Sequence, residues 1–257
     1  MKFLQFGLAF ACLAAPVLGH EPEGQTFEDS ETKGVAERSF SYSYDQEVAA
    51  HPTLAAVIRA QEEAALAKQK AQWNEAVDEF GDMNCITCVS RLYTNTWEVA
   101  ATTGRFLMLQ SERWTYTGGA HGNSFFSALG WDHEGGEAGE GAAFRPVDMF
   151  VNETALENTA FGDYCAALLE QKGERLDLDT AKMSPFDGCP SVTELVVIPL
   201  SSDGGKFDRL RFLAAPYVAG SFAEGPYSFE IPVTEAVIGV VKPEFADHFA
   251  LGDQPAD

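Results

Sequence analysis

Tyr116-Thr-Gly-Gly-Ala-His-Gly-Asn123 separates two apolar, aromatic segments of the chain, residues 106–114 before it and residues 125–131 after it. Three glycines within five residues allow positive φ angles and let neighbouring chain pass close to the backbone. The stretch therefore predicts a tight turn between two strands, with a single imidazole, His121, inside it.

The segments around this turn have the alternating pattern of half-buried strands. Residues 92–102, 105–116 and 123–132 follow one another through short connections that contain glycine, which predicts an antiparallel meander. Residues 39–44 alternate aromatic side chains with serines and predict a further strand. Three more strands are predicted in the last third of the chain, at residues 195–200, 210–215 and 227–233.

Two helices complete the predicted architecture. Residues 52–80 are rich in Ala, Glu, Gln and Lys and begin with Pro52, which suits the first turn of a helix. Their thin apolar stripe predicts a helix that lies across a sheet. Asn152 is expected to cap a second helix that runs to about Lys172. The predicted fold class is α+β, with antiparallel sheets and both helices packed on them in two small subdomains.

The first 19 residues have the plan of a secretory leader. One lysine, Lys2, precedes an apolar run over residues 3–18 that is too short and too interrupted for a membrane span. Cleavage is expected after Gly19, and the alternative is a lipoprotein acylated at Cys12. No later segment approaches the about 20 apolar residues that cross a bilayer. The mature protein is therefore expected to be periplasmic or secreted.

The mature chain is expected to begin with a flexible lead-in and to continue as two subdomains. Residues 20–36 are polar and acidic, which is typical of a disordered segment. The N-terminal α+β subdomain is predicted over residues 37–120, and the C-terminal one over residues 121–250.

The composition is strongly acidic. The chain has 17 Lys and Arg residues against 39 Asp and Glu residues, a formal net charge of −22. Such a field disfavours nucleic acid and anionic membranes as partners. It favours a cationic protein or a divalent cation, or it serves only the solubility of an exported protein.

Four cysteines remain after the leader: Cys85, Cys88, Cys165 and Cys189. An even number in an exported protein indicates two disulfides, for which three pairings exist. We favour Cys85–Cys88 and Cys165–Cys189 because each pair brackets a short excursion of the chain. A zinc site would need two close pairs, and a thioredoxin-like redox site would need a helix that starts after a strand. No metal and no cofactor are therefore expected.

Several motifs together resemble one family of the cell envelope. They are the stretch 116–123, Trp131-Asp132, Asp148-Met-Phe150, Pro216-Tyr-Val-Ala-Gly220 and Glu224-Gly225. The pattern resembles the tandem extracytoplasmic domain of the anti-sigma factor RsiV, also found before the catalytic domain of the peptidoglycan deacetylase PdaC, domains of unknown function. The resemblance implies an α+β fold and an envelope-facing binding module. Signalling through the membrane, deacetylation and the lysozyme binding of one branch are not carried over, since the sequence has no sigma-binding segment with a transmembrane helix and no deacetylase domain.

His121 is the first candidate for a functional site. Either its ring bonds a backbone carbonyl and fixes the turn, or it contacts a ligand or acts as an acid or base beside Asp132 or Glu224. The candidate binding residues are Tyr116, His121, Asn123, Trp131, Tyr217 and Glu224.

Two classes of function stay open on the sequence. The first is a binding or sensing module of the periplasm that recognises a cationic protein such as lysozyme, or a peptidoglycan fragment. The second is a hydrolase that acts on envelope material through His121 and a nearby carboxylate. The chain contains no Gly-x-Ser-x-Gly, His-Glu-x-x-His or P-loop motif, which disfavours those enzyme classes.

Overall fold

A computed structural model describes residues 24–176 and 188–253 of the chain. The predicted leader, its cleavage site and Cys12 lie outside these described residues. Within them, nine strands form a six-stranded sheet in the order β1-β2-β3-β4-β5-β6 and a three-stranded sheet in the order β7-β8-β9. The strands are β1 Gln25–Lys33, β2 Ala36–Tyr44, β3 Arg91–Thr102, β4 Phe106–Tyr116, β5 Asn123–Asp132, β6 Ala142–Phe144, β7 Val196–Leu200, β8 Arg209–Ala214 and β9 Tyr227–Pro232.

Two long helices and several short ones accompany the sheets, so the predicted α+β class is confirmed. The helices are α1 Gln46–Ala50, α2 Pro52–Phe80, α3 Ile86–Val89, α4 Glu153–Arg175, α5 Glu235–Ile238 and α6 Pro243–Ala246. The predicted cap of α4 is present, since the Asn152 side chain accepts a hydrogen bond from the Ala155 amide at 2.7 Å. None of the described helices combines the length with the apolar character that a membrane span needs.

The large sheet is antiparallel except at one pair of strands. β3, β4 and β5 form the predicted meander, with β4 and β5 paired over ten positions. β2 and β3, however, pair in parallel, from Arg38 with Arg91 to Tyr44 with Trp97. The chain between them forms α2, whose length returns it to the end of the sheet where β2 began, so the two strands run in the same direction.

The first part of the chain also differs from the sequence prediction. Residues 25–33, expected to be flexible, form β1, which pairs with β2 along its whole length. β1 is an edge strand with almost every residue exposed. Its polar composition therefore gave no apolar alternation by which the strand could be identified. The large sheet also continues across the predicted subdomain boundary, because residues 120 and 121 lie in the β4–β5 turn.

The elements stack in four layers. α2 covers one face of the large sheet, where Leu54, Ile58, Trp97 and Leu107 belong to one core cluster. On the small sheet, the Tyr164 ring of α4 lies 5.0 Å from the Phe212 ring of β8. The preceding residue, Arg211, points to the opposite face and donates to Gln110 of β4 at 2.9 Å. The small sheet therefore lies between α4 and the large sheet.

Both favoured disulfides are present. Cys85, just before α3, is joined to Cys88 within that helix, and Cys165 of α4 is joined to Cys189 ahead of β7. Disulfides persist in oxidising compartments, so the two bonds suit an extracytoplasmic domain.

Candidate functional site

The turn between β4 and β5 packs against the loop closed by Cys85 and Cys88. Gly118 and Gly119 have φ angles of +102° and +89°, which favour glycine. A Cβ atom on Gly118 would lie 2.8 Å from the carbonyl oxygen of Thr87, so the two segments touch through backbone. The Tyr116 hydroxyl donates to the Gly119 carbonyl at 2.8 Å. These contacts fix the path of the chain just before His121.

Gly122 lets the turn lie directly on an aromatic ring. A Cβ atom at this position would overlap the indole of Trp114 and would lie 2.7 Å from the carbonyl oxygen of Thr115. Glycine is therefore required by the close approach, and His121 is held beside the indole.

His121 contacts its own turn and the loop between β8 and β9. Its Nδ1 lies 2.8 Å from the carbonyl oxygen of Gly122, which can only accept, so Nδ1 carries the proton. Its Nε2 faces the Tyr217 hydroxyl at 3.4 Å. The imidazole stacks on the Phe222 ring with centroids 3.7 Å apart and an interplanar angle of 20°. We call His121, Tyr217 and Phe222 the aromatic junction, because they join the β4–β5 turn to the β8–β9 loop.

Tyr217 holds an unusual backbone conformation within this junction. Its φ angle is +72°, a left-handed value that few side chains other than those of Asn and Asp adopt. Its amide donates to the Gly220 carbonyl at 2.9 Å, which closes the loop around the strained residue. The side chain is nevertheless 51% exposed. Strain combined with exposure of a large aromatic ring is typical of a functional position.

A cleft of about 500 Å³ opens between the two sheets, and the three residues of the aromatic junction are not among those that line it. Trp114, which packs on Gly122, lines this cleft, as do the side chains of Phe126 and Tyr227. Polar groups face the same space: Gln110, Gln171, Arg175, Glu98 and Glu112. We call this space the inter-sheet cleft, and its size falls within the range of small-ligand sites.

Gln171 leaves one hydrogen-bonding atom of the inter-sheet cleft without a partner. Its Nε2 donates to the Ser228 carbonyl at 2.7 Å. Its Oε1 is buried and has no hydrogen-bond partner among the described residues. Since buried acceptors are normally paired, this oxygen is suited to a donor on a ligand.

Arg175, Tyr227 and Glu224 are held in one network at the end of the cleft. The guanidinium of Arg175 lies 4.2 Å from the centre of the Tyr227 ring and donates to the Glu224 carbonyl at 2.6 Å. The Tyr227 hydroxyl donates to the Glu224 carboxylate at 2.8 Å. Burial, together with this hydrogen bond, raises the pKa of Tyr227 to about 12.

Glu224 is used inside its own loop. Burial opposes its ionisation, but hydrogen bonds from Ser221 and from the Tyr227 hydroxyl outweigh burial and lower its pKa. The carboxylate is therefore ionised at neutral pH and is already bonded. Asp132 is likewise paired with Arg105, at 2.7 and 2.8 Å. Neither carboxylate is among the hydrogen-bond partners of His121 in the described chain, so no acid–base pair is formed there.

The candidate residues from the sequence are only partly brought together. His121 and Tyr217 meet in the aromatic junction, whereas Tyr116 lines a groove on the opposite, α2-covered face of the sheet. Trp131 is 2% exposed and belongs to the core beneath α2. Asn123 pairs with Thr115 in the β4–β5 ladder.

Sequence reasoning missed most of the cleft. Phe222 lies within the loop that carries Tyr217, and its position between Gly220 and Gly225 is a signal that could have found it. Trp114, Gln171 and Arg175 have no local signal, because they meet only when α4 and the small sheet pack on the large sheet.

Comparisons with known proteins support the fold. No family model and no curated protein matches the chain. The structure is similar to that of a DUF3298 family protein from Pseudomonas aeruginosa PAO1, with a TM-score of 0.52 and 15% sequence identity over 87% of this chain and 96% of that one. It is equally similar to a DUF3298 family member from Bacteroides fragilis NCTC 9343, with a TM-score of 0.52 and 14% identity over 88% and 96% of the two chains. At these identities the likeness shows a shared fold: the chain folds as these two DUF3298 family proteins do.

Proposed function

We propose that this chain is an exported binding module of the cell envelope, and that the inter-sheet cleft with the aromatic junction holds a cell-wall fragment. The observation that carries the proposal is Tyr217, a strained residue whose ring stays half exposed beside His121 and Phe222. Glycine would adopt this left-handed backbone without strain, so the backbone alone does not call for a tyrosine. A ring presented to a ligand would account for it.

The chemistry of the cleft suits a peptidoglycan fragment. Aromatic rings offer flat apolar area to sugar rings, and their neighbours orient polar ligand groups. The unpaired Oε1 of Gln171 is an acceptor for an amide or hydroxyl donor. Glu98, Glu112 and Arg175 supply both signs of charge for a peptide stem. The resemblance to the RsiV and PdaC tandem domain and the two disulfides favour an envelope location.

A basic protein such as lysozyme is the second candidate partner. The observation that favours it is the net charge of −22, which steers a cationic protein toward the chain. Binding of this kind weakens steeply with salt, whereas a fragment held in the cleft depends little on salt.

Calorimetric titration with a disaccharide-tetrapeptide of peptidoglycan and, separately, with lysozyme across a salt series tests the proposal. We expect the fragment to bind, and Phe222→Ala to weaken its binding by about ten-fold. Phe161→Ala, which removes another exposed ring outside the junction, is the matched control and should keep the affinity. Absence of fragment binding overturns the proposal, and equal affinity of the Phe222→Ala variant overturns the role given to the aromatic junction. Salt-sensitive binding of lysozyme alone selects the second candidate, and release of cleaved fragment selects a hydrolase.

A further inference from the structure

A second cavity, of about 410 Å³, lies on the other face of the large sheet, between α2 and the strands β3, β4 and β5. We call it the helix–sheet groove. Three cations, Lys68, Arg91 and Arg113, line it, and no aspartate or glutamate does. This is the reverse of the whole chain, in which 39 acidic residues outnumber 17 basic ones. The groove is thus a local basic site on an acidic protein.

Lys68 and Arg113 have no carboxylate partner among the described residues, although the Arg113 guanidinium also interacts with the Tyr93 side chain and there opposes the rise that burial causes in the pKa of Tyr93. Within the described part of the chain, no carboxylate oxygen lies within the 4.0 Å salt-bridge distance of Lys68 or Arg113. The helix positions one turn from Lys68 are occupied by Ala64, Ala65, Ala71 and Gln72, so α2 offers it no acidic partner. Arg91 differs, because its guanidinium donates to the carbonyls of Cys88 and Ser90.

Aromatic rings stand beside these charges. The guanidinium of Arg113 lies 4.8 Å from the centre of the Phe125 ring, its direct partner across β4 and β5. Tyr93 stacks on Phe40 at 4.7 Å, which holds its ring firmly at the base of the groove. A guanidinium over a ring keeps its edge free for a carboxylate, with which it forms two parallel hydrogen bonds.

We propose that the helix–sheet groove binds a small organic carboxylate that carries an apolar ring. The carboxylate is held by Arg113 and Lys68, and the ring of the ligand lies against Tyr93, Tyr116 and Phe125. The cavity is large enough for such a molecule but not for a folded partner. The site is independent of the inter-sheet cleft, since the sheet separates the two.

Titration with three probes of the same shape tests the site: 2-naphthoate, the neutral 2-naphthalenemethanol and the cationic 2-naphthylmethylamine. We expect saturable binding of 2-naphthoate, at least about ten-fold weaker binding of the alcohol and none of the amine. Lys68→Gln and Arg113→Gln should each weaken naphthoate binding by about ten-fold. Lys206→Gln removes the same charge from an exposed residue outside the groove and should leave the affinity unchanged.

Three binding results overturn the proposal. They are the absence of naphthoate binding at millimolar concentration, equal binding of the acid and the alcohol, and wild-type affinity in both groove variants. Lys68 is exposed on α2, so its variant is expected to keep the fold and to carry the test even where Arg113→Gln lowers stability. Chemical-shift changes centred on α2 and on Tyr93, Arg113 and Phe125 would place the probe in the groove, and changes centred on α4, β8 and β9, which border the inter-sheet cleft, would contradict it.

Discussion

The Tyr217 hydroxyl lies 3.4 Å from Nε2 of His121, although 96 positions separate the two residues in the chain. The contact joins a turn of the large sheet to a loop of the small one. The aromatic junction therefore exists only when the two sheets are packed, and reagents that perturb their packing should also perturb the site.

Tyr217→Gly tests whether the left-handed backbone of Tyr217 costs stability and whether its ring contributes to ligand binding. Glycine adopts a φ of +72° without cost, so we expect the free energy of unfolding to rise by up to about 1 kcal/mol, or to stay unchanged where lost ring contacts offset the gain. Ligand binding should fall at the same time. Urea unfolding followed by titration with the fragment measures both. A clear drop in the free energy of unfolding would mean that the Tyr217 ring stabilises the fold through its packing contacts.

Gly122→Ala should disturb the turn that carries His121. The added methyl group would meet the Trp114 indole and the Thr115 carbonyl, neither of which can move without shifting β4. We expect a loss of about 1–3 kcal/mol in the free energy of unfolding. Gly104→Ala, where nothing lies within 4 Å of the added atom, is the control and should cost less than half as much. Equal losses in the two variants would contradict the close approach.

Asp29→Asn should lower the free energy of unfolding, because it leaves the buried guanidinium of Arg38 without this carboxylate partner. Arg38 is 1% exposed and pairs with Asp29 on the neighbouring strand, where Lys70 also reaches the same carboxylate at 2.7 Å. Without the carboxylate, the buried charge loses its strongest partner, and we expect a loss of about 2 kcal/mol. Chemical denaturation at pH 7 measures it. Replacing Asp29 and Arg38 together, as Asn and Met, should recover part of the loss; failure to do so argues against the pairing.

Asp132 should make stability depend on acid pH. Hydrogen bonds from Arg105 are the main reason that its pKa lies below the ordinary value, against the effect of burial. A carboxyl group with a lowered pKa binds fewer protons in the folded than in the unfolded state, so its contribution is complete above pH about 4 and is lost as the pH falls through the folded pKa.

Asp132→Asn tests this linkage. We expect the variant to be less stable than the wild type by about 2 kcal/mol at pH 7, and the difference to shrink in strong acid. Urea midpoints between pH 2 and pH 7 report it. Asp247→Asn, at an exposed site, should follow the wild-type curve. A difference that stays constant down to pH 2 would exclude the linkage.

Removing the bond between Cys165 and Cys189 by replacing both with Ala should destabilise the fold. The bond closes a loop with a sequence separation of 24, for which the chain-entropy model gives about 3 kcal/mol. Thermal unfolding with and without reductant checks the value. Reductant should then lower the unfolding temperature of the double variant only slightly. The remaining bond, Cys85–Cys88, closes a loop too short to stabilise the fold by much.

Local sequence was sufficient for most elements of this fold. Pro52 and the Ala- and Glu-rich run that follows give α2 its bounds, and the glycines of the β4–β5 turn give the meander, because these signals lie within the elements themselves. β1 was not predicted because strands were recognised by alternating apolar residues, and an exposed edge strand needs no apolar face. The parallel pairing of β2 with β3 was not predicted either. These strands are distant in the chain, and the position in which α2 packs decides how they pair.

The residues of the candidate site were likewise only partly predictable from the local sequence. His121 was a candidate because of the glycine-rich turn around it, and Tyr217 because it lies in the motif 216–220 that carries the family resemblance. Trp131 carries an equally prominent aromatic signal and is a core residue. Whether an aromatic side chain of the large sheet is buried depends on which element packs on its face of the sheet. The local sequence does not show this. Arg113 and Lys68 face a common groove for the same reason.

β1 has a consequence for how molecules of this protein meet one another. An edge strand presents unpaired backbone groups that can extend a sheet into a neighbouring molecule. β1 carries the acidic residues Glu28 and Glu31, and the other edge strand of the large sheet, β6, has only three residues. The acidic side chains at one border and the shortness of the strand at the other both oppose growth of the sheet into fibrils.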